Sequence, residues 1–171
     1  MTEEEAPHLA DELWLRILSQ LDPKTIWTSV RHVNKQLLGC SESHMTSLSV
    51  SVLPRFSVGI AISLGSGSRH HWYDIRATIT FTFQRMHPTL PRLATFGSCL
   101  VMPNQCYEVA MKQWNHVVAA GGIGTKQEWK LQEGLDSVKK AKLKTLVVVG
   151  VPGAAAVSCD WRELLSVYYA D

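Results

Sequence analysis

The spacing of apolar residues changes near Met45, and that change constrains the fold more than anything else in the chain. From Leu9 to about Cys40 the apolar positions recur every three or four residues, with Leu9, Leu13, Ile17 and Leu21 four apart and Leu18 beside them. That period is one face of a helix. Asp22-Pro23 interrupts it with a good N-cap and a residue tolerated at the first helical position, so a second helix starts there. Ile26, Trp27, Val30, Val33 and Leu37 continue at helical steps, with a bend where a short third helix begins, and Gly39 followed by Ser41, Glu42 and Ser43 supplies a stop.

After Met45 the period is two. Leu48, Val50 and Val52 alternate with serines up to Pro54, and Val58, Ile60, Ile62 and Leu64 alternate next, up to the turn-forming Gly65-Ser66-Gly67-Ser68. The strongest strand signal is Ile75 to Phe83, with Ile75, Ala77, Ile79, Phe81 and Phe83 on one face and Arg76, Thr78, Thr80 and Thr82 on the other. Leu93 to Met102 and Thr145 to Val151 read as further strands, the second as a more fully buried one. Asn104 to Ala119 reads as a helix, with Asn104 as its cap, Tyr107, Met111, Trp114, Val117 and Val118 on one side, and Gly121-Gly122 at its end. Gln127 to Lys144 is polar and fits helix or loop equally. The tail from Asp160 is apolar enough to dock on the sheet as a short helix or a last strand.

These signals predict an α+β chain with a helical module over residues 1–45. A mainly antiparallel sheet domain with one central helix follows over residues 46–171. The charge divides in the same place: seven acidic against four basic residues up to Met45, thirteen basic against eight acidic beyond it. A net charge of +2 is far from the concentrated basic surface of a nucleic-acid binder. No apolar run has the length of a membrane span, and the acidic start Met1-Thr2-Glu3-Glu4-Glu5 is unlike a secretory leader, which points to the cell interior, cytoplasm or nucleus.

The chemistry-bearing patterns are weak. Cys40, Cys99, Cys106 and Cys159 lack zinc-ligand spacing and are expected to be reduced thiols, mostly in the core. His70-His71, beside Trp72 and Tyr73, would need a third ligand from elsewhere to bind a metal, or a carboxylate such as Asp74 to serve an enzyme. Gly65-Ser66-Gly67-Ser68 does not have the spacing of a nucleophile elbow. Gly121-Gly122-Ile123-Gly124-Thr125-Lys126 follows a helix, whereas a phosphate-cradling loop follows a strand. Lys139, Lys140, Lys142 and Lys144 read as a solvated face ahead of a buried strand. Trp72, Trp114, Trp129 and Trp161 are expected in the core, and any exposed one would be a candidate for a binding patch. No catalytic residue, metal or cofactor is expected.

A helical module of this size cannot bury enough surface to be robust alone, and an exposed apolar face on it is more often a protein-binding surface than a defect. The segment Leu9-Ala10-Asp11-Glu12-Leu13-Trp14-Leu15-Arg16-Ile17-Leu18-Ser19-Gln20-Leu21-Asp22-Pro23, continued by Arg31-His32-Val33-Asn34-Lys35-Gln36-Leu37-Leu38, resembles an F-box in the order and spacing of its residues. The remainder is similar in pattern to the C-terminal regions of filamentous-fungal F-box proteins. The resemblance implies a three-helix surface gripping a Skp-type adaptor, and through it a cullin and a RING protein, with the rest of the chain selecting a protein substrate for ubiquitin transfer. Onto the family's pattern fall Leu9, Ala10, Leu13, Ile17, Leu18, Leu21, Pro23, Ile26, Val30, Val33 and Leu37, with Asp11, Glu12 and Lys24 at the rim. The chain departs from it at Ala10, where the family has proline, and at Leu37, which matches its closing tryptophan. Those departures also suit a self-contained interaction protein whose helices pack on its own sheet, with a poorly exposed Leu13 and Ile17 face and no ligase role.

Overall fold

The structure is a computed structural model that describes residues 9–66, 74–123, 127–149 and 155–170. It is mixed helix and sheet and divides into two compact units, Met1–Val52 with Tyr169–Asp171, and Leu53–Tyr168. His70, His71, Trp72, Tyr73, Gly124, Thr125, Lys126 and Val151 lie outside the described residues.

The first unit contains α1 (Asp11–Leu18), α2 (Pro23–Thr28), a 3₁₀ turn (Val30–His32) and α3 (Lys35–Val52). α1, α2 and the turn all pack on α3. Asp22 caps α2 as its sequence promised: its carboxylate accepts from the Thr25 amide at 2.9 Å and from the Thr25 hydroxyl. Asn34 caps α3 in the same manner, its Oδ1 accepting from the Leu37 amide at 2.8 Å.

α3 overturns two expectations. It runs straight through Gly39, and it continues through the stretch Leu48 to Val52 that alternates like a strand. Leu37, Cys40, Ser41, Met45, Ser49 and Val52 are buried at steps of three and four, whereas Val50 is 69% exposed. The period of 3.6 was present all along, with serine standing in for an apolar residue at two inward positions. Ser49 donates to the Thr46 carbonyl at 2.8 Å, as Thr46 does to Glu42 at 2.7 Å and Ser51 to Leu48 at 2.8 Å, while the buried Ser41 hydroxyl has no hydrogen-bond partner among the described residues. The third helix is therefore long, and it passes beyond position 45 to Val52.

Among the described residues the second unit holds one antiparallel sheet of seven strands, β1 (Phe56–Ser66), β2 (Asp74–Met86), β3 (Leu93–Met102), β4 (Trp129–Glu133), β5 (Lys139–Ala141), β6 (Val147–Val148) and β7 (Val157–Asp160), in the order β5-β4-β1-β2-β3-β7-β6. β1, β2 and β3 form its centre. Val58 faces Phe81, Ile60 faces Ile79 and Ile62 faces Ala77, so the alternation read from the sequence places one apolar row across β1 and β2. Ile75 and Phe83, at the ends of that row, are 41% exposed and half-buried respectively.

α4 (Tyr107–Ala119) and α5 (Trp161–Tyr169) cover the apolar face. Trp114 lies against Phe81 with ring centroids 5.2 Å apart, and Tyr168 meets Phe56 edge-on at 5.0 Å. Trp129 and Trp161 are also fully buried, so the described tryptophans of this unit are core residues. α4 ends at Gly121, whose φ of +67° suits glycine. Asn104 opens a 3₁₀ turn ahead of α4 and does not cap it, and Tyr107 is 48% exposed.

Two segments differ from their sequence reading, and a third takes one of its two alternatives. Gln127 to Lys144 contains β4 (Trp129–Glu133) paired with β5 (Lys139–Ala141), a hairpin whose short, lysine-rich strands carry little β signal of their own. The stretch from Thr145 is not a buried strand: β6 is Val147–Val148 at the sheet edge, with Val147 51% exposed. The tail from Asp160 is a helix, α5, which follows directly on β7 (Val157–Asp160), and its Trp161 amide donates to the Arg92 carbonyl. The four cysteines are free, Cys40 and Cys159 buried and Cys99 and Cys106 half-buried. Burial pushes the Cys159 thiol well above its usual pKa.

The helical reading of α3 makes Met45 core and Val50 surface. Met45→Ala is expected to cost about 2–5 kcal/mol and Val50→Ala to stay within about 0.5 kcal/mol, both by urea denaturation. Trp114→Ala is expected to cost about 3–5 kcal/mol in the same assay.

Candidate functional site

A helix turns its residues by about 100° each, so Leu13, Ile17 and Leu21 lie within about 80° of one another while Leu18 stands about 140° from Leu13. The structure follows that geometry. Leu18 is fully buried, whereas Leu13 and Ile17 are each 45% exposed and Leu21, in the turn beyond α1, is 37% exposed. The hydrophobic stripe of the sequence is thus two features, an inward ridge through Leu18 and an outward aliphatic strip.

What fixes α1 in that rotation is its start. Ala10 makes no side-chain cap. In its place Gln36 of α3 donates from Nε2 to the Leu9 carbonyl and to Asp11 Oδ1, both at 2.7 Å. Proline would have supplied a rigid first turn. Here a long-range tie does that work, and nothing in the local sequence signals it.

The eleven positions set against the F-box pattern fall into three groups. Ala10, Leu13, Ile17, Leu21 and Val33 are exposed, Val33 at 68%, and Asp11, Glu12 and Lys24 are exposed among them. Leu9, Pro23 and Val30 are half-buried. Leu18, Ile26 and Leu37 are buried and hold the unit together, so in this arrangement they cannot touch a partner. Trp27, fully buried, has the Arg31 guanidinium 4.1 Å above its ring. Leu38, next to the inward Leu37 on α3, is 38% exposed.

Between α1 and α3 lies an open cavity of about 360 Å³ lined by Asp11, Leu15, Lys35, Gln36, Gly39, Cys40 and Ser43. Its one thiol is unsuited to nucleophilic work. Burial first, and then the Asp11 carboxylate, push Cys40 above the usual thiol range, away from the reactive thiolate. Among the described residues no three His, Cys, Asp or Glu side chains group as a metal site, and no helix is long and apolar enough to cross a membrane. The outward strip is therefore the feature of this unit that offers a function, and what it offers is contact with another apolar surface.

No protein-family model, curated protein or solved structure matches the chain.

The Asp22 cap is checked by acid. Hydrogen bonds from the Thr25 hydroxyl and then the Thr25 amide hold the Asp22 carboxyl below its ordinary value. A depressed carboxyl stabilises the fold above the unfolded pKa and loses that contribution as pH falls through the folded one. Asp22→Ala is expected to cost about 1 kcal/mol near pH 7. The difference from the wild type should close as the pH drops below 3.8, followed by thermal melts across that range.

Proposed function

We propose that this chain is a non-enzymatic substrate receptor of an SCF-type cullin-RING ubiquitin ligase, acting inside the cell. Its helices dock on a Skp-type adaptor, and the sheet unit receives a protein substrate. The observation that carries the reading is the outward strip: Leu13, Ile17 and Leu21 are substantially exposed on the segment whose order and spacing resemble an F-box. An aliphatic strip on a helix, bordered by Glu12 and Lys24, suits packing against a partner's helices, with the aliphatic residues supplying affinity and the charges register.

This reading assigns the contacts more narrowly than the family pattern does. Leu13, Ile17, Leu21 and Val33 are the anchors, Leu9, Ala10, Pro23 and Val30 are flanking contacts, and Leu18, Ile26 and Leu37 support them from within. Leu37 in place of an aromatic then changes the packing of the unit and leaves the strip itself intact. The self-contained alternative requires a poorly exposed Leu13 and Ile17, and 45% exposure of both counts against it.

Co-expression with a Skp-type adaptor followed by gel filtration tests the proposal. A one-to-one complex is expected for the wild type, and Leu13→Asp or Ile17→Asp should weaken it about 30-fold or more, as for hot-spot residues, while the far-UV circular dichroism stays unchanged. Absence of a complex with folded wild-type chain, or a complex indifferent to both substitutions, overturns it.

A further inference from the structure

The face of the sheet opposite α4 and α5 carries an arrangement that its own chain leaves incomplete. Lys140, Lys130, Gly59, Thr80 and Leu100 are successive register partners on β5, β4, β1, β2 and β3, so they form one row across that face. The next row holds Ala61, Thr78 and Met102. Two lysines thus stand directly opposite each other on neighbouring strands, a destabilising placement.

Lys140 has a distant carboxylate, Glu128 at 3.9 Å, in a pair so exposed that it contributes little. Lys130 is half-buried and has a neutral partner only: its Nζ donates to the Thr78 hydroxyl at 2.9 Å, and among the described residues no carboxylate lies within salt-bridge distance of it. The reach from β4 to β2 passes over β1 at Gly59. A Cβ there would sit 3.4 Å from Thr80 Oγ1 and 3.6 Å from Lys130 Cβ, so a larger side chain would enter the space beside the lysine stem.

The rest of the face fits the same kind of occupant. Leu100 and Met102 are 56% and 54% exposed at the β3 side, beside threonine hydroxyls. The unit as a whole carries thirteen Lys and Arg against seven Asp and Glu. Trp114, Trp129 and Trp161, the residues that would stack on bases, are buried on the other side.

We infer that this face docks an acidic protein segment, whose carboxylates settle on Lys130 and Lys140 while its apolar side chains cover Leu100 and Met102. An arriving carboxylate supplies the half-buried ammonium with the charged partner it lacks and removes the repulsion between the two lysines. The inference concerns the sheet unit alone and stands independently of adaptor docking.

The test is fluorescence anisotropy of the full chain with a fluorescein-labelled peptide repeating Glu-Leu-Asp-Ser. Saturable binding that weakens with salt is expected, along with no binding of the Lys-Leu-Lys-Ser counterpart. Lys130→Gln should weaken binding about tenfold or more, and Lys112→Gln, exposed on α4, should leave it unchanged. Gly59→Val should weaken it too, and if that variant fails to fold, Lys130→Gln decides, with thermal melts establishing its fold. No binding by the wild type, equal binding by Lys130→Gln, or tighter binding of a single-stranded oligonucleotide of equal charge overturns the inference.

Discussion

Gln36 reaches across 27 residues of sequence to hold the Leu9 carbonyl, and 25 to hold the Asp11 carboxylate, and with that tie the first unit acquires its orientation. A helix as short as α1 is marginal in water and takes its register from what it packs on. With its start pinned to α3 and Leu18 sunk beneath it, the remaining aliphatic residues have one place to go, outward. The same positions that would serve as core in a larger domain become a surface. The exposure of Leu13 and Ile17 is in this sense a consequence of how the unit assembles, and it is also what a docking partner would use.

The legible parts of the fold are those where local pattern and tertiary environment agree. β2 and α4 follow the sequence closely because each has a period sustained over about nine residues or more, and α4 has a clear terminator in Gly121. The helical period of α3 is masked beyond Met45 because Ser49 occupies an inward position, and a serine that satisfies its hydroxyl on a preceding carbonyl is tolerated there. β4 and β5 were hidden for the opposite reason. Their lysines describe a solvated surface without describing a strand, and their place is set by the pairing of β4 with β1 and of β5 with β4.

The candidate surface was half legible. Periodicity found all of its apolar residues but could not divide them, since a stripe of leucines four apart and a leucine one residue later look equivalent until a neighbouring helix chooses a side. Leu18, Ile26 and Leu37 went inward while Leu13, Ile17, Leu21 and Val33 stayed out. The sheet unit repeats the lesson with polar residues. Lys130 and Lys140 are ten apart in sequence, and only the β4–β5 register shows that they confront each other, while only the register with β1 shows that Gly59 leaves room beside them.

The helical unit carries an exposed aliphatic strip and the sheet unit a pair of facing lysines. The most direct measurement of the central claim is amide hydrogen exchange on the full chain with and without a Skp-type adaptor. The account predicts added protection confined to α1 and the segment around Val33, with the sheet unit unchanged; identical exchange in both samples, or protection that falls on the sheet and spares α1, would contradict it.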